Sequence, residues 1–340
     1  MKKLINILLY FIFVLSYTSN AQQKNITAFG FYNLENFYDT INDPFKDDDE
    51  FTPNGANAYS GKVFIKKVEN LATVISQMAL DKTADGISFL GVAEVENISV
   101  LKALCAHPKL ASRKLRPLLL EGPDMRGVDC GFLYNPAKFK LMEARSLSVP
   151  IELGDRPTRD VLYIIGKLDD EVIHIFVNHW PSRRGGEALT REKRKIAAGV
   201  SKKVIDSLIS IDPLTKIVDM GDLNDDPINA SVTEVLNAKE KIKDVALGGM
   251  FNPWISFYKN GLGSMAYQDA WSLFDQIIIS YGFFGKGNKG LKYMGAEVFN
   301  KGFMIEKFGN YRGYPKRSYS NGTWNDGYSD HYPTILYFTK

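Results

Sequence analysis

The chain has 340 residues, 45% of them hydrophobic and 24% charged, which excludes intrinsic disorder as its default and supplies enough apolar side chains for a large core. Its net charge of +3 neither demands nor excludes an anionic partner, because polyanion binding depends on how charges cluster rather than on their sum. With Cys105 and Cys130 as its only cysteines, a disulfide-built scaffold and a zinc cluster have no support.

The first residues do not read as part of a fold. Lys2 and Lys3 precede an apolar run from Leu4 to Tyr17, and Ser19-Asn20-Ala21 has the small-x-small pattern of a cleavage site. The run falls short of the ~20 residues of a membrane span. A secretory signal peptide over 1–21 is the expectation, with an uncleaved anchor as the alternative. The mature chain is then secreted or periplasmic, with no membrane span after cleavage. No Pro- or Ser-rich linker and no internal repeat divides residues 22–340, which read as one domain. Export leaves a disulfide between Cys105 and Cys130 open, although two buried thiols suit so long a chain better.

ITAFGFYN (26–33) reads as a strand that stops at polar residues. The acidic run Asp47-Asp48-Asp49-Glu50 reads as an exposed loop, with a Ca2+ site as the alternative. Over 61–80, Phe64, Val68, Leu71, Ile75 and Met78 recur four and three apart, an amphipathic helix facing a core. GISFLGVA (86–93) is an apolar strand ending at Glu94, and 97–105 a short helix. Strands are expected at 130–134, 141–149, 160–168 and 171–178, then a long helix over 187–209 with Leu189, Ile196, Val200, Val204 and Leu208 inward. Further strands follow at 215–220, 274–280 and 333–339. Residues 281–329, rich in Gly, Tyr, Asn and Lys, read as long surface loops beside a site. Many strands with few helices predict two sheets packed face to face with helices outside.

Chemically able residues recur where these apolar runs stop. They are Asn33-Leu34-Glu35-Asn36, Glu94-Val95-Glu96, Asn178-His179-Trp180-Pro181-Ser182-Arg183, Gly221-Asp222-Leu223-Asn224, Asp275, and Ser329-Asp330-His331. Each alone has an explanation in turn chemistry. Together, every one with a carboxylate, carboxamide or imidazole, they describe a site. In VDMGDLNDDP (218–227), alternation along an extended chain turns Leu223 inward and points Asp222 and Asn224 the same way.

The ordered set YNLEN, AEVEN, TRD, NHWPSR, GDLND, FDQI and SDHYP resembles the endonuclease/exonuclease/phosphatase superfamily, relatives of deoxyribonuclease I, exonuclease III and neutral sphingomyelinase. The resemblance runs from about Ile26 to the C-terminus, and GDLN with a terminal SDHxP carries most of it. It implies an α/β fold, a four-layer αββα sandwich of two mixed sheets flanked by helices. It also implies a site where the strand ends of the two sheets meet, and divalent-metal-dependent cleavage of phosphate esters.

Such cleavage needs a cation, a base and a proton donor. Glu94 is the expected metal ligand, because Mg2+ takes oxygen donors and commonly only one or two carboxylates. Mn2+ and Ca2+ are the alternative cations. By resemblance Asn33 sits beside the metal and Asp330 approaches it. Glu96 is the rival of Glu94, and Glu35 stays open between a supporting role and the surface. Asp222 can orient or deprotonate the attacking water, and Asn224 can donate to a nonbridging oxygen. Asp225 and Asp226 read as solvated turn residues.

The resemblance further implies that His331 contacts the phosphate, that Asp275 orients it, and that His179 protonates the leaving oxygen. Abasic-site enzymes of the exonuclease III branch carry asparagine at the position of His179. His107 and His174 read as structural. Asn178, Arg159 and Arg183 are the expected substrate contacts, Arg159 matching a phosphate-binding arginine of some relatives. The basic cluster Arg183, Arg184, Arg191, Lys193, Arg194 and Lys195 either tracks a nucleic-acid backbone or is the solvated face of a helix.

The expected function is a secreted, Mg2+-dependent phosphodiesterase, a nuclease acting on DNA or RNA, with no stable protein partner. A lipid head group or a sugar or inositol phosphate is the alternative substrate, thinly supported by Tyr281-Gly282-Phe283-Phe284. A silent binding protein on the same fold is a third reading. The completeness of Glu94, His179, Asp222 and His331 stands against it.

Overall fold

In the computed structural model, which describes residues 26–150, 156–288, 290–320 and 322–340, the chain begins with β1 (Ile26–Phe37), α1 (Gly61–Gln77), β2 (Phe89–Val95) and α2 (Ile98–Ala106). It continues through β3 (Arg116–Leu119), β4 (Asp129–Tyr134), β5 (Phe139–Leu147), β6 (Val161–Leu168), β7 (Glu171–His179), α3 (Glu187–Ile211) and β8 (Lys216–Asp222). Then come β9 (Ala238–Lys239), β10 (Met250–Phe251), α4 (Trp254–Lys259), β11 (Met265–Tyr267), β12 (Ala270–Ser272), β13 (Asp275–Ser280), β14 (Lys292–Val298), β15 (Tyr319–Ser320), β16 (Thr323–Trp324) and β17 (Thr334–Thr339). The signal-peptide reading lies outside the described residues.

A six-stranded sheet has the order β14-β17-β1-β2-β4-β3, and a seven-stranded sheet the order β5-β6-β7-β8-β13-β10-β9. Both are mixed, since β1–β2 and β7–β8 pair in parallel while β1–β17 and β8–β13 pair antiparallel. Helix α1 buries Val68, Leu71 and Ile75 against the first sheet, and α3 buries Ala197, Ala198 and Ile205 against the second. The layers are helix, sheet, sheet, helix, as expected.

Alternation along the central strands decides which residue at each end looks into the space between the sheets. A Cβ on Gly91 would lie 2.5 Å from Met220 Sδ, so this glycine lets the sheets approach and places both residues on the inner face. On β8, Val218, Met220 and therefore Asp222 face inward, while Ile217 and Asp219 face α3. On β7, Ile173, Ile175, Val177 and His179 face inward; on β13, Asp275, Ile277 and Ile279 do. On β1, Phe29 packs near Phe283 from the second sheet's side, which puts Phe31 and Asn33 on the same inner face.

Several expectations are corrected. Residues 292–298, read as loop, form β14 on the edge of the first sheet, where the register slips between Tyr293 and Gly295 and blurs any alternation. Leu189, expected inward, is 77% exposed, because it falls on the opposite side of α3 from the buried Arg194, Ala198 and Ile205. Phe283 is fully buried and Phe284 packs on Phe251, so no exposed apolar hairpin forms there. Cys105 and Cys130 are free thiols, the favoured reading, with Cys130 buried and Cys105 half-buried.

Candidate active site

Strand ends from both sheets meet at one rim of the sandwich. Asn33 Nδ2 of β1 donates to Asp222 Oδ2 of β8 at 3.0 Å, tying one sheet to the other. His179 Nε2 stands 3.6 Å from Asp222 Oδ2 and 3.7 Å from Glu94 Oε1. His331 Nε2 stands 3.9 Å from Asp222 Oδ2, and its Nδ1 bonds Asp275 Oδ2 at 2.6 Å.

Glu94 reaches this place against the alternation of its strand, which would send it toward the helices with Leu90 and Val92. Its φ of +60° redirects it, where β2 slips register between Val92 and Val95. A left-handed backbone costs a non-glycine residue about 1–2 kcal/mol, and such strain persists where surrounding contacts enforce it. Here they do. β1 bulges between Asn33 and Phe37, with Glu35 and Asn36 at φ +48° and +50°, and the Asn36 amide donates to Glu94 Oε2 at 2.8 Å.

The charges sort themselves. Burial opposes protonation of His331, but Asp275, Asp222 and Asp330 outweigh it and hold the imidazolium well above the ordinary histidine range. His179 is driven well below that range by burial and by Arg159, Arg126 and His331, so it is neutral. Burial pushes Asp222 up to about 6, against the pull of His331. For Glu94 burial raises the pKa, but Arg126, the Asn36 amide, His331 and Arg159 together bring it below the usual carboxylate value. Opposite shifts in neighbouring groups separate an acid from a base. These shifts favour the charged form at His331 and the neutral form at His179, whose Nδ1 is buried without a partner among the described residues.

Other expected contacts have different work. Asn178 faces α3 by alternation and is fully buried, donating to Asp219 Oδ1 at 2.6 Å and accepting from Trp180 Nε1 at 3.1 Å, so it cannot meet a substrate. Asn224 leaves the strand at φ +47°, and its amide nitrogen Nδ2 donates to the Trp180 carbonyl at 3.0 Å. Arg183 braces the following turn through the Asn224 carbonyl, Asp226 and Asn229. Asp225 and Asp226 are buried, not solvated, and Asp225 Oδ1 lies 2.6 Å from Arg194 Nε.

Arg159 is buried and donates to the carbonyls of His179 at 3.2 Å and Trp180 at 2.7 Å while pairing with Asp124 at 3.1 Å, so it positions His179. Asp330 lies 3.9 Å from His331 Nε2 and is paired with Arg317 at 3.1 Å. Glu96 accepts from the Asp39 amide and lines a separate acidic cavity with Asp39, Asp43 and Asp48, which leaves Glu94 alone beside the histidines. Asp48 is itself buried, unlike the rest of its acidic run. His174 bonds Tyr163 and His107 caps a short helix, both structural as expected.

One residue without a sequence signal, Arg126, and two from the strand-end motifs, Glu35 and Ser329, complete the site. Arg126 sits in the loop EGPDMRGV, ends no apolar run, and still supplies positive charge to Glu94 and Asp222. Glu35 is buried; its carboxylate accepts from the Ser318 amide at 2.6 Å and its carbonyl from Lys67. Ser329 donates to the Asn33 carbonyl at 2.7 Å. These contacts join segments distant in sequence, and no local spacing announces them.

The residues suit a hydrated divalent cation. Glu94 is an ionised carboxylate, and Asn33 Oδ1 accepts the Glu35 amide at 2.9 Å with a second lone pair to spare. Among the described residues no three His, Cys, Asp or Glu side chains converge as a cage. Glu94 would hold the cation, with Asn33 beside.

No curated protein matches this chain significantly. Solved structures of similar fold include D. rerio TDP2 complexed with single-strand DNA product, at 13% identity and a TM-score of 0.55, covering 93% of this chain and 100% of that one. An endonuclease/exonuclease/phosphatase family protein from Bacteroides thetaiotaomicron has 14% identity and a TM-score of 0.55, covering 93% and 95%. A functionally unknown conserved protein from Enterococcus faecalis V583 has 12% identity and a TM-score of 0.53, covering 92% and 99%. At these identities the likeness establishes the fold. Residues 28–340 match the family described as Endonuclease/Exonuclease/phosphatase, and the chain belongs to that family of phosphoric ester hydrolases, commonly metal-dependent phosphodiesterases and nucleases.

Proposed function

We propose that this protein is a Mg2+-dependent phosphodiesterase that hydrolyses nucleic acid. The observation that carries the reading is a carboxylate set between a charged and a neutral imidazole: Asp222 Oδ2 lies 3.6 Å from His179 Nε2 and 3.9 Å from His331 Nε2. Asp222, with a pKa of about 6, is ionised at neutral pH yet basic enough to take a proton from water. His331, charged and oriented by Asp275, neutralises the phosphate and donates a proton to the departing oxygen. A metal at Glu94 would supply Lewis-acid stabilisation of phosphate oxygens.

A nucleic-acid substrate is supported by a groove of about 840 Å³ beside Asp330 and Arg317, where Tyr267, Phe308 and Tyr311 are 67%, 79% and 50% exposed. Exposed aromatic rings next to a phosphate site are what single-stranded bases stack on. The N-terminal sequence supports secretion or a periplasmic location.

The test is cleavage of plasmid DNA, RNA, sphingomyelin and phosphomonoesters by the chain from Gln22 onward, with Mg2+ and with EDTA, alongside His331→Ala. Metal-dependent cleavage of DNA or RNA that His331→Ala abolishes is expected. Turnover of sphingomyelin or a monoester without cleavage of either nucleic acid overturns the substrate.

A further inference from the structure

On the His179 side of the site, opposite in character to the aromatic groove, a cleft of about 340 Å³ is lined by Arg126, Arg156, Arg159, Arg184 and Lys193 against one carboxylate, Asp124. It adjoins the reacting centre. Arg159 grips the backbone of His179 and Trp180, and Pro181 and Ser182, the next residues along, form its wall. Arg126 stands between the two, carrying positive charge toward Glu94 and Asp222.

Four guanidinium groups of the cleft face the single carboxylate among its described lining residues. Asp124 is shared by Arg159 at 3.1 Å and Arg126 at 3.7 Å, and Arg156 pairs with Asp47 at 2.8 Å in an exposed contact that salt and water weaken. Arg184 is exposed and forms no ion pair with a described residue.

A second observation is independent of charge. Thr158 lines the cleft at 6% exposure, and its Oγ1 is buried with no partner among the described residues. A buried hydroxyl left unbonded costs ~1–3 kcal/mol, so it points to something that bonds it. Guanidinium forks and a hydroxyl donor together fit the oxygens of a phosphate group.

We propose that this cleft is a subsite for a second phosphate of the substrate, the one flanking the scissile phosphate on the His179 side. The inference rests on the phosphodiesterase reading and narrows it. The substrate carries phosphates in series, as a polynucleotide does, and a lone diester leaves the cleft empty.

The test reads binding to the chain from Gln22 onward without turnover. Adenosine 3′,5′-bisphosphate and adenosine 5′-monophosphate are titrated calorimetrically in EDTA, against wild type, Arg184→Ala and Thr158→Val. Arg184 is a surface residue and Thr158→Val is nearly isosteric, so both variants keep the fold. The bisphosphate is expected to bind wild type about tenfold more tightly than the monophosphate, with that preference narrowing at high salt and shrinking to about twofold or less in Arg184→Ala. Thr158→Val is expected to reduce it as well. Equal binding of the two ligands, no binding of either, or a preference untouched by both substitutions overturns the proposal. A bisphosphate preference in a protein that cleaves no nucleic acid keeps the subsite and removes the nuclease. Cleavage of nucleic acid without the preference does the reverse.

Discussion

His331 and Asp275 come from distant parts of the chain, yet Nδ1 of one lies 2.6 Å from Oδ2 of the other, leaving His331 Nε2 to face the cleft. The bond fixes which nitrogen is free and helps hold the ring charged against the cost of burial. A group that acts as an acid works only while protonated, so its raised pKa keeps the enzyme active above the ordinary histidine range. Asp275→Asn is expected to lower kcat by ~10²–10⁴-fold and to move the alkaline limb of the kcat profile to lower pH. Turnover of bis(p-nitrophenyl) phosphate across pH checks both. An unmoved limb would take the acid role from His331.

The metal assignment separates two carboxylates two residues apart. Glu94→Gln is expected to remove Mg2+-dependent turnover by ~10³-fold or more, as loss of a transition-state interaction does, while the thermal midpoint stays near wild type. Glu96→Gln, in the neighbouring acidic cavity, is expected to retain activity. The comparison is made over a Mg2+ titration, and the reverse pattern would transfer the metal to Glu96.

Arg159 and Asp124 form a pair with both side chains more than nine-tenths buried. Breaking such a pair from one side costs up to ~3–5 kcal/mol, since it leaves Asp124 with only the longer, more exposed contact to Arg126 at 3.7 Å. Arg159→Met is therefore expected to lose about that much stability in urea unfolding and to lower kcat by releasing the His179 carbonyl. A variant as stable as wild type would mean that Asp124 finds another partner.

Much of this was legible in the sequence, because apolar runs announce strands and a strand's period of two says which terminal residue looks inward. Asn33, His179, Asp222 and Asp275 follow that rule, and the same rule excludes Asn178 once applied from His179. What escaped it is where the backbone departs from regularity. Glu94 and Asn224 reach their places through left-handed residues, and Arg126 and Lys67 through loop and helix contacts across the fold.

The charge run on α3 shows the other limit. Its residues look like a polyanion track in one dimension, but Arg191 pairs with Glu187 at 2.7 Å, Lys195 with Glu192 at 3.0 Å, and Arg194 is buried on Asp225. Exposed pairs of this kind contribute ~0–1 kcal/mol. Arg191→Ala with Lys195→Ala is expected to leave KM for long DNA within about twofold of wild type, since lost phosphate contacts would show as a large, salt-dependent change. A tenfold rise would restore the helix face as a nucleic-acid track.

Asp219 gives a test in stability rather than activity. It is fully buried under α3, and burial lifts its carboxyl to about 7 against hydrogen bonds from Asn178 and Ser201. A carboxyl with a higher pKa folded than unfolded binds its proton more tightly in the native state. Its stabilising contribution is thus complete below the unfolded value near 4 and declines as pH rises to about 7. A shift of this size corresponds to roughly 4 kcal/mol at most. Asp219→Asn cannot titrate, so urea unfolding should find the variant more stable than wild type at pH 8, with the advantage fading toward pH 5. Wild-type stability that is flat from pH 5 to 8, with the variant weaker throughout, would mean that Asp219 is a carboxylate at neutral pH and that Asn178 carries more of its charge than burial opposes.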